Sequence, residues 1–194
     1  MGKRAIPVVL TKEEQQSLIN QFNTRYVTSH RNKVMFQMML NKGLSVSEIV
    51  SLRWEDVNLT SGKVMVREGK GAKDRTLWVD NSQLDELGEW KDRQVEKIGE
   101  LPRWVFSTLR ESNAGEKLTI QQVWKTLKTY AEKAGIEKDI SPHTLRHTFA
   151  TDLYRETGKI RLVQKALGHA DLSTTMIYTH IVDEELEGAM KSLR

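Results

Sequence analysis

The sequence holds 194 residues, with 30 Lys and Arg against 26 Asp and Glu for a formal net charge of +4, which fits one domain with its own core and a mildly basic chain, compatible with nucleic acid but not diagnostic of it. Cysteine is absent, which excludes disulfides and thiolate metal sites. No apolar run reaches membrane-spanning length and the N-terminus lacks a secretory apolar stretch, so the expectation is a cytoplasmic protein without a membrane partner.

Taken in order, residues 1–10 read as an extended lead-in, and Thr11 with Glu14 forms a capping box for a helix to about residue 22. A second helix over about 29–40 is apolar nearly all round, through Val34, Met35, Phe36, Met38, Met39 and Leu40, and belongs inside. Gly43 follows its end. A third helix covers about 46–53, and 56–59 suits a short strand. Residues 63–67 and 76–79 alternate as the arms of a hairpin whose basic tip spans 68–74. Helices over about 82–98 and 120–134 flank a short apolar segment at 104–106, the second opened by a capping box of Thr119 and Gln122. A last helix is expected over about 183–193, with acids at its start and Lys191 near its end. The tryptophans at 54, 78, 90, 104 and 124 are scattered and read as core or interface residues, not as a base-stacking platform. The fold class is therefore mainly α with a small antiparallel β-sheet (α+β).

The stretch 141–181 concentrates the chemistry, with four of the five histidines. Ser141 and Pro142 announce a helix start, after which His143, Arg146 and His147 share one face at i, i+3 and i+4. Leu145, Phe149 and Leu153 form the opposite stripe, expected to face the core. A shorter helix follows Gly158 and stops at Gly168, His169 comes directly after, and a Ser/Thr run leads to Tyr178. A guanidinium, imidazoles and a phenol converging form a donor set for an anion, phosphate first. The His143/His147 pair could hold a metal, but it lacks the Glu that follows the first His of the zincin pattern; His147 is most simply a packed, hydrogen-bonded residue.

His143-x-x-Arg146-His147, then Leu167-Gly168-His169, then Tyr178 nine positions on, resemble the tyrosine recombinases, the phage-integrase and Xer-like family, from about Thr11 to the C-terminus. The resemblance implies a DNA breaking-rejoining catalytic domain over 1–194, with the usual N-terminal core-binding domain absent. It implies attack of Tyr178 on a scissile phosphate of double-stranded DNA, a 3′-phosphotyrosyl intermediate, no cofactor and no small-molecule substrate, and a homo-tetramer on DNA in which the C-terminal helix can pack on a neighbour. By the same resemblance Arg146 grips non-bridging oxygens, His143 is the general acid-base, His169 donates to a phosphate oxygen, Lys70 protonates the leaving 5′-oxygen, and Glu48 supports the site from behind. Lys70 also reads as a solvated turn lysine touching backbone phosphate, and Lys70, Lys73, Arg75 and Arg146 are the expected DNA contacts.

One position departs from the family pattern. The first motif usually reads Gly-Leu-Arg-x-x-Glu, and here it is Gly43-Leu44-Ser45-Val46-Ser47-Glu48, so Ser45 stands where the first catalytic arginine is expected. Ser45 and Glu48 form a sound capping box on their own terms. Two readings follow: a recombinase slowed at this position, or a non-cleaving DNA-binding regulator or accessory protein with the same fold.

Overall fold

A computed structural model describes residues 7–67, 74–169 and 175–192. The described elements run α1 Lys12–Asn20, α2 Val27–Lys42, α3 Val46–Ser51, β1 Val57–Asn58, β2 Lys63–Val66, β3 Arg75–Trp78, α4 Asn81–Ile98, α5 Ile120–Lys133, α6 Pro142–Thr157, α7 Ile160–Leu167 and α8 Ile177–Ser192. The strands form one antiparallel sheet in the order β1-β2-β3, with Val64 opposite both Val57 and Leu77.

Local chemistry sets the helix starts. Thr11, Ser45 and Thr119 each close a reciprocal capping box with Glu14, Glu48 and Gln122, and Ser141 does the same with Thr144, ahead of Pro142. Each box satisfies amide donors that a helix N-terminus otherwise leaves open. α2 is the central rod, buried from Ser29 to Leu40 on almost every side and packed on α4 and α6.

Two hydrophobic clusters result. The larger gathers α1 to α5, the sheet and Leu145 of α6 around Phe36, Trp90 and Phe106. The smaller holds Ala150, Val163, Leu167, Tyr178 and Ile181, contributed by α6, α7 and α8. α6 serves both, which explains why its expected stripe is only partly right. Leu145 is fully buried, whereas Phe149 and Leu153 are half-buried against the smaller cluster, and Thr144, Thr148 and Thr151 are buried as well. A helix wedged between two layers needs small residues on its second face, and threonine supplies them: Thr148 Oγ1 donates to Thr144 O and accepts from Leu10 N, while the buried Thr151 Oγ1 has no partner among the described residues.

Gly43 ends α2 at φ 66, in the left-handed region that disfavours side chains. A Cβ there would also run into the Phe149 ring. Trp54 and Trp90 are buried with their indole N–H groups donating to Gln94 Oε1 at 2.8 Å and Val105 O at 2.7 Å. Trp78 and Trp124, at 65% and 39% exposure, lie outside the core. Strand alternation turns Leu77 inward and so Trp78 outward.

The last helix corrects the reading from sequence. It begins at Ile177, not near 183, so Tyr178 sits in its first turn instead of in an irregular run. No helix is long and apolar enough to cross a membrane among the described residues.

Candidate active site

Glu48 is the hub. Its Oε2 accepts from Ser45 N at 2.6 Å and from Arg146 Nη1 at 2.9 Å, and its Oε1 accepts from Arg75 Nη1 at 2.5 Å. The three side chains are 10%, 14% and 8% exposed for Glu48, Arg146 and Arg75, so the ion pairs are shielded from water and from salt. Burial works against the Glu48 carboxylate, yet the hydrogen bond from Arg75, the charges of Arg146 and Arg75 and the Ser45 amide outweigh it and hold its pKa below the ordinary range.

Arg146 is fixed by backbone from two other elements. Its Nη1 also donates to Gly43 O at 2.9 Å and its Nη2 to Leu167 O at 2.6 Å. Two helix C-termini thereby point carbonyls at the guanidinium, the end of a helix that favours a cation.

Arg75 was expected on the hairpin surface and is turned inward. Its Nε donates to Ala166 O at 3.0 Å while Nη1 holds Glu48. The signal was available in the strand period, because Arg75 shares a face with the buried Leu77. Ser45 stands where the family pattern has an arginine, and the structure puts Arg75 on the same carboxylate as Arg146. Ser45 itself caps α3, its Oγ accepting from Glu48 N at 3.3 Å and lying 3.1 Å from Ser47 Oγ.

The histidines differ by depth. His143 is exposed on the first turn of α6 and makes no hydrogen bond within the described residues. His169 follows the left-handed Gly168, its Nδ1 3.1 Å from Thr175 Oγ1 and its backbone tied both ways to Gln164. Burial lowers its pKa, helped by the charges of Arg146 and Arg75. His147, expected as a packed, hydrogen-bonded residue, has its Nδ1 2.9 Å from Tyr178 Oη. Burial, then His143 and Arg146, brings His147 down to about 4, which leaves the ring neutral at pH 7 and able to accept the phenol proton in a hydrogen bond.

Tyr178 is 1% exposed, inside the smaller cluster. Burial raises its phenol to about 12, with Arg146 opposing. Lys70 and Lys73 lie outside the described residues. Arg146, His147, His169, Tyr178, Glu48 and Arg75 are thus brought together, with His143 at the rim. The set offers cationic and neutral donors around a phenol; groups of three or more potential metal ligands do not occur among the described residues.

The phage integrase family model matches residues 8–185. Tyrosine recombinase XerA of Pyrococcus furiosus is 37% identical over 188 residues, covering 97% of this chain and 62% of XerA. Tyrosine recombinase XerD of Lacticaseibacillus casei is 36% identical over 183 residues, covering 93% and 61%. The chain spans about three fifths of the length of these curated relatives. A crystal structure of XerA recombinase superposes with a TM-score of 0.79 at 31% identity, over 99% of this chain and 67% of the other. XerH site-specific recombinase, bound to a palindromic difH substrate in a post-cleavage complex, gives 0.82 at 28% identity, over 97% and 54%.

Proposed function

The chain belongs to the phage integrase family, and from that premise we propose that it is the catalytic domain of a site-specific DNA recombinase working through a 3′-phosphotyrosyl intermediate. The observation that carries the proposal is the approach of the Arg146 fork on α6 and the Tyr178 phenol on α8, beside a carboxylate that is already ion-paired. Both remaining tasks of such a site, gripping a phosphate and attacking it, have a candidate group.

In this reading Tyr178 Oη bonds to phosphorus as the bond to the 5′-oxygen breaks. Arg146 and His169 stabilise the non-bridging oxygens, His143 takes the phenol proton, and Lys70 gives one to the leaving oxygen. Glu48 acts through Arg146 and Arg75 and touches no substrate. Duplex DNA is the partner, with Lys70 and Lys73 contacting its phosphates, and the active assembly is a homo-tetramer. A nicked suicide substrate tests the chemistry: a covalent protein–DNA adduct is expected, and its absence on every substrate, native site included, would sink the enzyme reading. Binding itself should weaken steeply with salt as counterions are released; a salt-independent affinity would contradict the phosphate contacts.

A second reading, a DNA-binding protein that does not cut, is favoured by one feature only, Ser45 in place of an arginine. The same adduct assay separates the two.

A further inference from the structure

Near the N-terminal end of α2, the end away from Gly43 and Arg146, Arg31 is buried at 8% exposure. Its three hydrogen bonds all go to neutral acceptors: Nε and Nη2 to Asn32 Oδ1 at 3.1 and 2.8 Å, and Nη1 to Ser107 O at 2.9 Å. No carboxylate lies within ion-pair distance of it among the described residues. A buried guanidinium without a counter-ion is an expensive arrangement, and it persists where something else supplies the negative charge. A guanidinium also has five N–H donors, so these bonds leave donors over.

Arg31 and Asn32 form part of the wall of a cavity of about 430 Å³ between α2, α5 and the segment around residue 109. Asn32 is 4% exposed, and because both Arg31 bonds fix its Oδ1, its Nδ2 donor group is turned away from Arg31 and has no acceptor among the described residues. Arg110 and Lys125, both exposed, stand in the same wall, and no described lining residue is an Asp or Glu. Burial draws Arg31 down to about 10, so it stays a cation at neutral pH while feeling its lost hydration. The volume suits a small ligand or one protruding group. Gly43 lies twelve positions beyond Arg31, roughly 18 Å along α2 at about 1.5 Å per residue, so this is not an extension of the Arg146 site.

We propose that the Arg31 cavity is an anion-binding site for a phosphoryl group, with Arg31 and Asn32 as its buried floor and Arg110 and Lys125 at its mouth. The phosphoryl group comes either from a small phosphorylated molecule or from a DNA backbone lying over α5. It is recognised by a planar fork, an amide donor and two mobile cations.

The test is an amide chemical-shift titration of the whole chain with inorganic pyrophosphate at constant ionic strength. Shifts are expected to concentrate at residues 28–32, 108–110 and 122–129, and the Arg110→Gln, Lys125→Gln double variant, which alters only exposed side chains, should weaken that binding at least tenfold. No shift at those residues, shifts confined to the surroundings of Arg146 and Gly168, or equal affinity in the double variant would each overturn the proposal. Adding a short duplex then separates the sources: displacement of pyrophosphate from residues 28–32 assigns the cavity to backbone phosphate, and undisturbed shifts assign it to a small phosphorylated molecule.

Discussion

The two halves of the candidate site are built on different physics. Arg146, Glu48 and Arg75 are held by charge-assisted bonds among themselves and by three backbone carbonyls, those of Gly43, Leu167 and Ala166. Tyr178 is held by four other buried side chains, Ala150, Val163, Leu167 and Ile181, and by the bond of its Oη to His147. In the proposed function the Arg146 half would grip the phosphate and is pre-assembled at the junction of several elements, whereas the Tyr178 half that would attack it is a docked helix. Electrostatic stabilisation rewards rigidity, because donors fixed in advance need no reorganisation during the reaction; a phenol that must reach a phosphate has to leave its docked position.

The sharpest way to break this comparison is to remove the proposed nucleophile alone. Tyr178→Phe should abolish the covalent adduct while leaving duplex binding nearly intact; an adduct that persists in a denaturing gel would mean that another residue attacks. Next in size is the hub. Glu48→Ala leaves two largely buried guanidiniums without their shared counter-ion, a loss of about 3–5 kcal/mol of stability. The denaturation midpoint should fall accordingly, and an unchanged midpoint would show that the node is held by its carbonyls instead.

Ser45→Arg comes third. It removes the Oγ cap of α3, costing about 1 kcal/mol, while the Ser45 N to Glu48 bond, being backbone, survives. It adds a charged donor worth roughly 10²–10³ in rate, so adduct formation on a suicide substrate should rise at least about a hundredfold. If the serine form is already as fast, Arg75 on Glu48 supplies that charge, and Arg75→Lys should then slow the reaction.

The smallest effect is a pH dependence of the docked half. His147 titrates at about 4 in the folded chain and near 6.5 unfolded. Between those values the unfolded state binds more protons, so its contribution to stability is complete above about 6.5 and is lost as pH falls toward 4. For a half-buried ring this amounts to about 2 kcal/mol after allowing for solvent screening. His147→Gln should flatten the midpoint-against-pH curve in that window; an identical curve would place the acid sensitivity elsewhere, His169 and Glu48 having the same sign.

What the sequence made legible was local. The capping boxes at Thr11, Ser45 and Thr119, the apolar rod of α2 and the shared face of His143, Arg146 and His147 depend on neighbours within one turn, and each appears where expected. The start of α8 was misread because the decision is tertiary: Ile177, Tyr178 and Ile181 form a stripe only once α6 offers a surface for it. The partner of His147 lies 31 residues away and the carbonyl anchors of Arg146 lie 103 and 21 away, beyond any periodicity. Arg75 was within reach of the strand rule, but the basic hairpin tip beside it drew it to the surface.

Gly43 joins errors that are ordinarily separate. Most positions of an enzyme can drift so that a stability defect and an activity defect arise independently, and a compensating change elsewhere restores one of them. At Gly43 any side chain opposes the left-handed turn, collides with Phe149 and moves the carbonyl that aims Arg146. Stabilising changes at distant sites would recover the folded population of such a variant without recovering the aim of its arginine. In a library selected first for solubility and then for DNA cleavage, substitutions at this position should pass the first sieve only in stabilised backgrounds and fail the second in all of them.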